Sequence, residues 1–332
     1  AGRPNQMNIK GSFCSFVPRP RPLSQRAISL LTVAKQLGNL IQLCMYIGNR
    51  KIGYEEKPFF VAEIGINHNG DINIAKKLID GAIAAGVEAV KFQKRTVDVV
   101  YTPEELARPR ENPFGSTNGH LKRGLEFGKK EYDEIDHYCK KKGIMWFASP
   151  WDEGSVDFLE KYDLPCYKIA SAVATDKDLI TYIKSKGRPM IVSTGMMDET
   201  MRNKVVKILG EKNLIIMHCI STYPAQTHEL HLRNIPQLIK KYPRSYIGYS
   251  GHEVGAYPPL IAAALGACVL ERHITIDRAM WGSDHAASLE LAGLNRLMAE
   301  INELQNYLGQ AKKKILDSEK AISAKLRRKH TI

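Results

Sequence analysis

Phe59-Phe-Val-Ala-Glu-Ile-Gly65 is an apolar run broken by one carboxylate, and after Ile66 come Asn67, His68 and Asn69. A short apolar run bounded by polar and glycine residues reads as a strand buried on both faces. The pattern recurs at 89–93, 144–150, 166–171, 189–195, 214–220, 246–252 and 268–275, which makes eight such runs. Helical periodicity fills the intervals, at 72–85, 129–142, 200–209, 234–241 and 258–265, and a last helix is predicted around 289–308. Eight strands, each followed by a helix, predict an α/β fold of the (β/α)8 TIM-barrel type. A doubly wound open sheet is the alternative, but no Gly-x-Gly-x-x-Gly turn follows the first run.

A barrel of this kind carries its site at the C-terminal ends of its strands. Polar residues stand there on every run: Glu63 on the first, Lys91 and Gln93 on the second, Ser149 on the third, Lys168 and Ser171 on the fourth. The fifth offers Ser193 and Thr194, the sixth His218, Ser221 and Tyr223, the seventh Ser250 and His252, the eighth Glu271 and His273. A lone strand lysine or histidine is usually structural, whereas agreement across all the runs is not explained that way. Two strand lysines are costly to bury alone, so Lys91 and Lys168 among serines imply an anionic ligand carrying phosphate and carboxylate. His252 and His273, at the ends of neighbouring strands, could converge on a divalent metal with Glu63, Asp284 or water completing an open shell. His218 is as well explained by core packing as by function. His120, His137, His228, His231 and His330 receive no role.

Composition narrows the partners. The net charge of +13 over 332 residues is concentrated in residues 1–54, which hold eight basic residues and no acidic one. The remainder carries 40 basic against 35 acidic residues, an ordinary surface, and no nucleic-acid motif appears. The most apolar stretch, 27–47, is interrupted by Lys35, Gln36, Gly38, Asn39 and Gln42, so no membrane span is expected. Six scattered cysteines without a Cys-x-x-Cys pair suit a reducing compartment, and a cytoplasmic location is expected. Residues 1–54 read as a basic N-terminal extension, 55–310 as the catalytic barrel and 311–332 as a basic C-terminal tail. Within the extension, a helix over 27–43 capped by Ser24 is conceivable. Residues 1–44 have the composition of an organelle transit peptide, but an unpacked extension ahead of a start at Met45 is the favoured reading.

Seven ordered motifs carry a family resemblance: Ala62-Glu-Ile-Gly-Ile-Asn-His-Asn-Gly70, Val90-Lys-Phe-Gln93, Tyr167-Lys-Ile-Ala-Ser171, Ser193-Thr-Gly-Met196, His218-Cys219 with Tyr223-Pro224, Gly248-Tyr-Ser-Gly-His252, and Glu271-Arg-His-Ile-Thr275. Together they resemble the N-acetylneuraminate (sialic acid) synthase family from about residue 46 to 328. The resemblance implies condensation of phosphoenolpyruvate with the open-chain aldehyde of a hexosamine, N-acetylmannosamine or a related sugar. The products would be a nine-carbon 2-keto-3-deoxy acid and phosphate. By matching position, Lys91, Lys168, Ser171, Ser193, Ser221 and Ser250 would hold phosphoenolpyruvate, with Ser149 beside them. His252 and His273 match the family's metal pair, implying Mn2+ or Mg2+. Glu63, Gln93, Tyr223 and Asp284 would face the sugar, with Glu63 also placed to handle a proton.

The sequence also departs from that pattern. Val173 stands where an acidic residue is often found, and Trp151 replaces a smaller aromatic. Family members commonly continue into a small antifreeze-like domain whose arginine reaches a partner's sugar site, while this chain stops near that linker. The segment 95–128 exceeds a usual strand-to-helix loop and is expected to act as a substrate lid. A related synthase acting on a phosphorylated aldose would need a second basic site, for which Arg108, Arg110, Lys122 and Arg123 are candidates. A silent barrel that only binds is a third reading. A homodimer is expected, through barrel faces or through the last helix, which carries Leu289, Leu291, Leu294, Leu297, Met298 and Ile301.

Overall fold

The computed structural model describes residues 45–311 and 313–328. The helix considered over 27–43 lies outside the described residues. Eight parallel strands form the centre: β1 (Phe59–Gly65), β2 (Ala89–Lys94), β3 (Met145–Pro150), β4 (Tyr167–Ile169), β5 (Met190–Ser193), β6 (Leu214–Cys219), β7 (Tyr246–Gly251) and β8 (Val269–Thr275). Hydrogen bonding orders them β3-β2-β1-β8-β7-β6-β5-β4. The two ends of that path, β3 and β4, pack side by side and bring the sheet round into a nearly closed barrel. Every residue of β1 and β8 is buried, as strands enclosed by a lumen on one side and helices on the other must be.

The helices are α1 (Ile72–Ala85), α2 (Lys129–Lys142), α3 (Glu153–Leu159), α4 (Lys177–Ser185), α5 (Glu199–Leu209), α6 (Asn234–Lys241), α7 (Tyr257–Ala264) and α8 (Leu291–Leu308). Local chemistry sets their ends. Asp71 caps α1 by accepting from the Asn73 amide, and Gly86 ends it at φ 73°, where its N–H satisfies the Ala82 and Ile83 carbonyls. The buried face of α1 (Ala75, Leu78, Ile79, Ala82) then lies against the barrel.

The structure redraws four expectations. Residues 45–52 belong to the barrel rather than to an extension: Met45–Ile47 and Arg50–Ile52 form an antiparallel hairpin whose Met45, Ile47 and Ile52 join the core. Segment 95–128 is folded, not a loop. It contains helices Val97–Val100, Pro103–Ala107 and Asn118–Leu125 and a hairpin of Pro109–Asn112 with Gly115–Thr117. Thr102 and Thr117 start two of those helices by accepting from the Glu105 and His120 amides. The expected C-terminal tail contains an exposed helix, Asp317–Leu326. Finally, Leu289, Leu294, Leu297, Met298 and Ile301 are buried against the barrel, and Leu291 packs over Gly81. These residues are not a free dimer face. No helix among the described residues is long and apolar enough to cross a membrane.

Candidate active site

Alternation along the strands delivers side chains from seven of them to one end of the lumen. Lys91 Nζ lies 2.7 Å from Glu63 Oε2, donates to Ser149 Oγ at 3.2 Å, and stands 3.6 Å from Glu271 Oε1. Lys168 donates to Ser193 Oγ at 2.8 Å and reaches the same Glu271 oxygen at 3.4 Å. Ser250 donates to that oxygen from β7 at 3.4 Å, and Gln93 donates to Glu63 Oε1 at 2.8 Å. Glu63, Lys91, Ser149, Lys168, Ser193, Ser250 and Glu271 are all buried. The two lysines therefore have two carboxylate partners inside the protein, which corrects the inference that their burial requires a bound anion.

The electrostatics of this ring are uneven. Burial opposes ionisation of Glu271, but Lys168 and Lys91 override it and hold its carboxyl down at about 2. Burial dominates at Glu63 and pushes its carboxyl up, with Lys91 opposing. Burial likewise works against Lys91, yet Glu271 and Glu63 outweigh it and keep the ammonium above the usual lysine range. Lys168, with less compensation, is drawn below that range by burial. Glu63 and Lys168 are thus the two members whose protonation is easiest to change.

A second cluster sits beside the ring. His252, directly after β7, directs Nδ1 to the Ile220 carbonyl at 2.7 Å, and its Nε2 meets the Tyr223 hydroxyl at 2.8 Å. The His252 and His273 rings have centroids 5.5 Å apart, and Tyr223 contacts both. Asp284 Oδ2 is 3.7 Å from His273 Nδ1, a nitrogen that is buried without a hydrogen-bond partner. Burial draws His273 down to about 3, so its imidazole is neutral near pH 7. Ser171 and Ser221 flank Cys219 Sγ at 3.7 and 3.9 Å, and that sulfur lies 3.9 Å from His252 Nδ1. A Cβ on Gly195 would fall 2.1 Å from Ser221 Oγ and 2.9 Å from Ser171 Oγ, so glycine alone keeps that space clear.

This donor set fits a divalent ion. A ligating imidazole usually gives its other ring N–H to a carbonyl, as His252 Nδ1 can to Ile220; the lone pair is then on Nε2, where the Tyr223 hydroxyl now sits and which an ion would take from it. His273 contributes a neutral ring with an unpartnered nitrogen. Among the described residues no group of three or more His, Cys, Asp and Glu side chains is placed to hold a metal ion, so His252 and His273 would supply two positions and the others would be open. Glu63, committed to Lys91 and Gln93, is not the natural third ligand; Asp284 is nearer to hand.

Other polar residues near the strand ends are structural. Asn67 donates to the Ile274 carbonyl and Ser288 Oγ, and His68 stacks on Phe127 at 3.8 Å while accepting from the Gly70 amide. His218 is buried and bonds the Leu230 carbonyl at 2.7 Å, as a packed core histidine does. Thr194 Oγ1 donates to the Met217 carbonyl. Val173 packs on the core, and Trp151 carries the Arg95 guanidinium at 4.4 Å. Of the basic candidates in 95–128, Arg110 bonds Asn118, Lys122 lies over Tyr101, and Arg108 is exposed.

The NeuB family model matches residues 78–313. The chain belongs to the NeuB family. It is 38% identical over 291 residues to the N-acetylneuraminate-9-phosphate synthase of Homo sapiens, covering 86% of this chain and 80% of that protein. It is 33% identical over 301 residues to the N,N'-diacetyllegionaminic acid synthase of Legionella pneumophila, covering 86% of this chain and 84% of the other. Among solved structures, the sialic acid synthetase of Leptospira borgpetersenii in complex with citrate aligns with a TM-score of 0.74 at 32% identity, over 86% of this chain and 98% of that one.

In this NeuB-family barrel, sequence reasoning had singled out thirteen site residues, and the structure brings them all to one mouth. It missed four that matter to the geometry. Glu271 had been noted at a strand end but given no part, although it bridges both lysines. Gly195 and Cys219 lie inside quoted motifs without side-chain reasoning attached. The fourth is Glu253, whose ion pair with Arg272 has no local signature because the partners are 19 residues apart.

Proposed function

We propose that the protein condenses phosphoenolpyruvate with the open-chain aldehyde of a hexosamine, forming a nine-carbon 2-keto-3-deoxy sugar acid and phosphate. The observation that carries this reading is the junction of the Lys91–Lys168–serine ring with the His252–His273 pair at one barrel mouth. Lys91, Lys168, Ser171, Ser193, Ser221 and Ser250 bind the phosphate and carboxylate, aiming the enol carbon outward. Gln93, Tyr223 and Asp284 line the sugar side. His252 and His273 would hold Mn2+ or Mg2+, and the chemistry such an ion supplies when bound is polarisation of the aldehyde oxygen. Fixing both reactants in a buried polar mouth removes much of the entropic barrier to their meeting. The enol carbon bonds to the aldehyde carbon, water adds at the former enol carbon, and phosphate departs with the bridging oxygen. Glu63, whose carboxyl burial pushes up, is placed to hold or release a proton beside that centre.

The test is phosphate release from phosphoenolpyruvate with a panel of aldoses, in enzyme stripped by a chelator and then given Mn2+. Activity with a hexosamine that vanishes on stripping and returns with Mn2+ is expected, with an oxygen label from the bridging position recovered in phosphate. Full activity in stripped enzyme, or label in the keto acid, refutes the scheme.

One observation favours a second reading, in which the acceptor carries a terminal phosphate. A cavity of about 410 Å³ next to Gln93 is lined by Lys94, Arg95, Arg123 and Ser155; Glu126 pairs with both Lys94 and Arg95, and Asp98 with Arg123, which leaves one cation in excess. The relatives' own names divide on this point, one product being a 9-phosphate. Including a hexosamine 6-phosphate in the panel decides between the two readings.

A further inference from the structure

The β7–β8 ladder stops at the Gly251–Arg272 pairing. His252 and His273 lie one residue beyond it, so no backbone ladder fixes one imidazole relative to the other. On the β6 side His252 is anchored, through its ring to Ile220 and through its carbonyl, which accepts from the Ala225 amide at 3.0 Å. Toward β8 the link is a side-chain pair. Arg272, immediately before His273, donates to Glu253, immediately after His252, at 2.8 Å, and both side chains are 0% exposed.

Both terminal guanidinium nitrogens and both carboxylate oxygens are engaged, while Arg272 Nε has no hydrogen-bond partner among the described residues. Arg272 also donates to the carbonyls of Gly255 at 2.7 Å, Ala287 at 3.4 Å, and Glu253 itself. Tyr249 donates to the other Glu253 oxygen at 2.7 Å. A Cβ on Gly251 would lie 2.5 Å from Glu253 Oε2, so the carboxylate occupies the space a side chain there would take. The Ala287 contact reaches the turn that carries Asp284, whose carbonyl accepts from Ser288 Oγ at 2.7 Å. A buried ion pair is a poor source of stability compared with apolar residues of equal volume. Its bonds here run to the backbone segments that bear His252, His273 and Asp284.

We propose that Arg272 and Glu253 are a positioning pair that sets the spacing of His252 and His273 for a shared divalent ion. The proposal rests on the metal reading above, and it concerns how the two rings are held. Groups that hydrogen-bond a ligating imidazole typically govern metal affinity by about 10–100-fold, and Arg272 and Glu253 act on the same two rings through the backbone that carries them.

The experiment measures Mn2+ affinity of the full chain from the electron paramagnetic resonance signal of free Mn2+, well below each variant's melting temperature. Glu253→Gln keeps the shape and removes the charge, and Tyr249→Phe removes only the brace on Glu253. The expected result is a dissociation constant raised 10–100-fold in Glu253→Gln and at least threefold in Tyr249→Phe. The KM for phosphoenolpyruvate should stay within twofold, because the Lys91–Lys168 ring is untouched. Mn2+ affinity within twofold of the parent in folded Glu253→Gln overturns the proposal. If that variant does not fold, the same result in Tyr249→Phe overturns it. A parent protein that binds no Mn2+ sinks the metal reading itself, which is a separate outcome.

Discussion

Glu271→Gln tests the electrostatic core of the mouth, because among the described residues Glu271 is the one carboxylate within 4 Å of both lysines. It stands 3.4 Å from Lys168 Nζ and 3.6 Å from Lys91 Nζ. At an effective dielectric of about 20, each contact is worth roughly 5 kcal/mol gross, before the cost of desolvating the ions is subtracted. The titration gives a second route to the net value. A carboxyl held at about 2, against an ordinary value of about 4.3, prefers its ionised form in the fold by about 3 kcal/mol. That agrees with the roughly 3–5 kcal/mol lost when one partner of a buried pair is removed. Glu271→Gln should therefore lower the melting temperature at pH 7 by about 10 °C.

The pH dependence has a definite sign. The folded-state value lies below the unfolded one, so this stabilisation is complete above about pH 4.3 and is lost as pH falls toward 2. The gap between parent and variant should narrow over that window in differential scanning fluorimetry. Adding Lys168→Met should restore part of the loss, since the orphaned ammonium goes with it. A variant within 2 °C of the parent at pH 7, or a gap that widens in acid, refutes the account of this ring.

Two further outcomes follow from the geometry. Gly195→Ala drives a methyl against Ser221 Oγ and Ser171 Oγ; it should raise the KM for phosphoenolpyruvate more than tenfold with little change in melting temperature, and an unchanged KM would remove those serines from the binding site. Asp152 accepts from the amides and hydroxyls of both Thr96 and Ser155, which outweigh burial and keep its carboxyl low. Asp152→Asn should cost about 2 kcal/mol at pH 7, a difference that shrinks below about pH 4, and urea unfolding at pH 7 and pH 3 checks both statements.

The barrel was legible because each strand is buried on both faces and so reads as an unbroken apolar run, with its functional residue standing out at the end. Lys91 and Lys168 are conspicuous for that reason. Glu271 carries the same signal, but beside Arg272 it reads as half of a local charge pair; the structure shows the two on opposite faces with different partners. The segment 95–128 hid its structure differently. Helices of four to eight residues are too short to display a period, and the caps Thr102 and Thr117 are ordinary loop residues until their amide partners are seen. The hairpin at 45–52 was masked by the basic composition of the residues around it, although three of its side chains are core.

Strand β8 has, in effect, a reading frame. Glu271 and His273 face the lumen while Arg272, between them, faces the outer layer, and none of the three is more than 5% exposed. Deleting or inserting one residue upstream in this strand would exchange the two faces. A guanidinium would enter the lumen beside two ammonium groups, and a carboxylate and an imidazole would be thrust among the carbonyls that Arg272 now satisfies. Side chains on β8 can be altered one at a time, each with its own consequence, but its length upstream of Glu271 cannot change by one without inverting the charge of two layers at once.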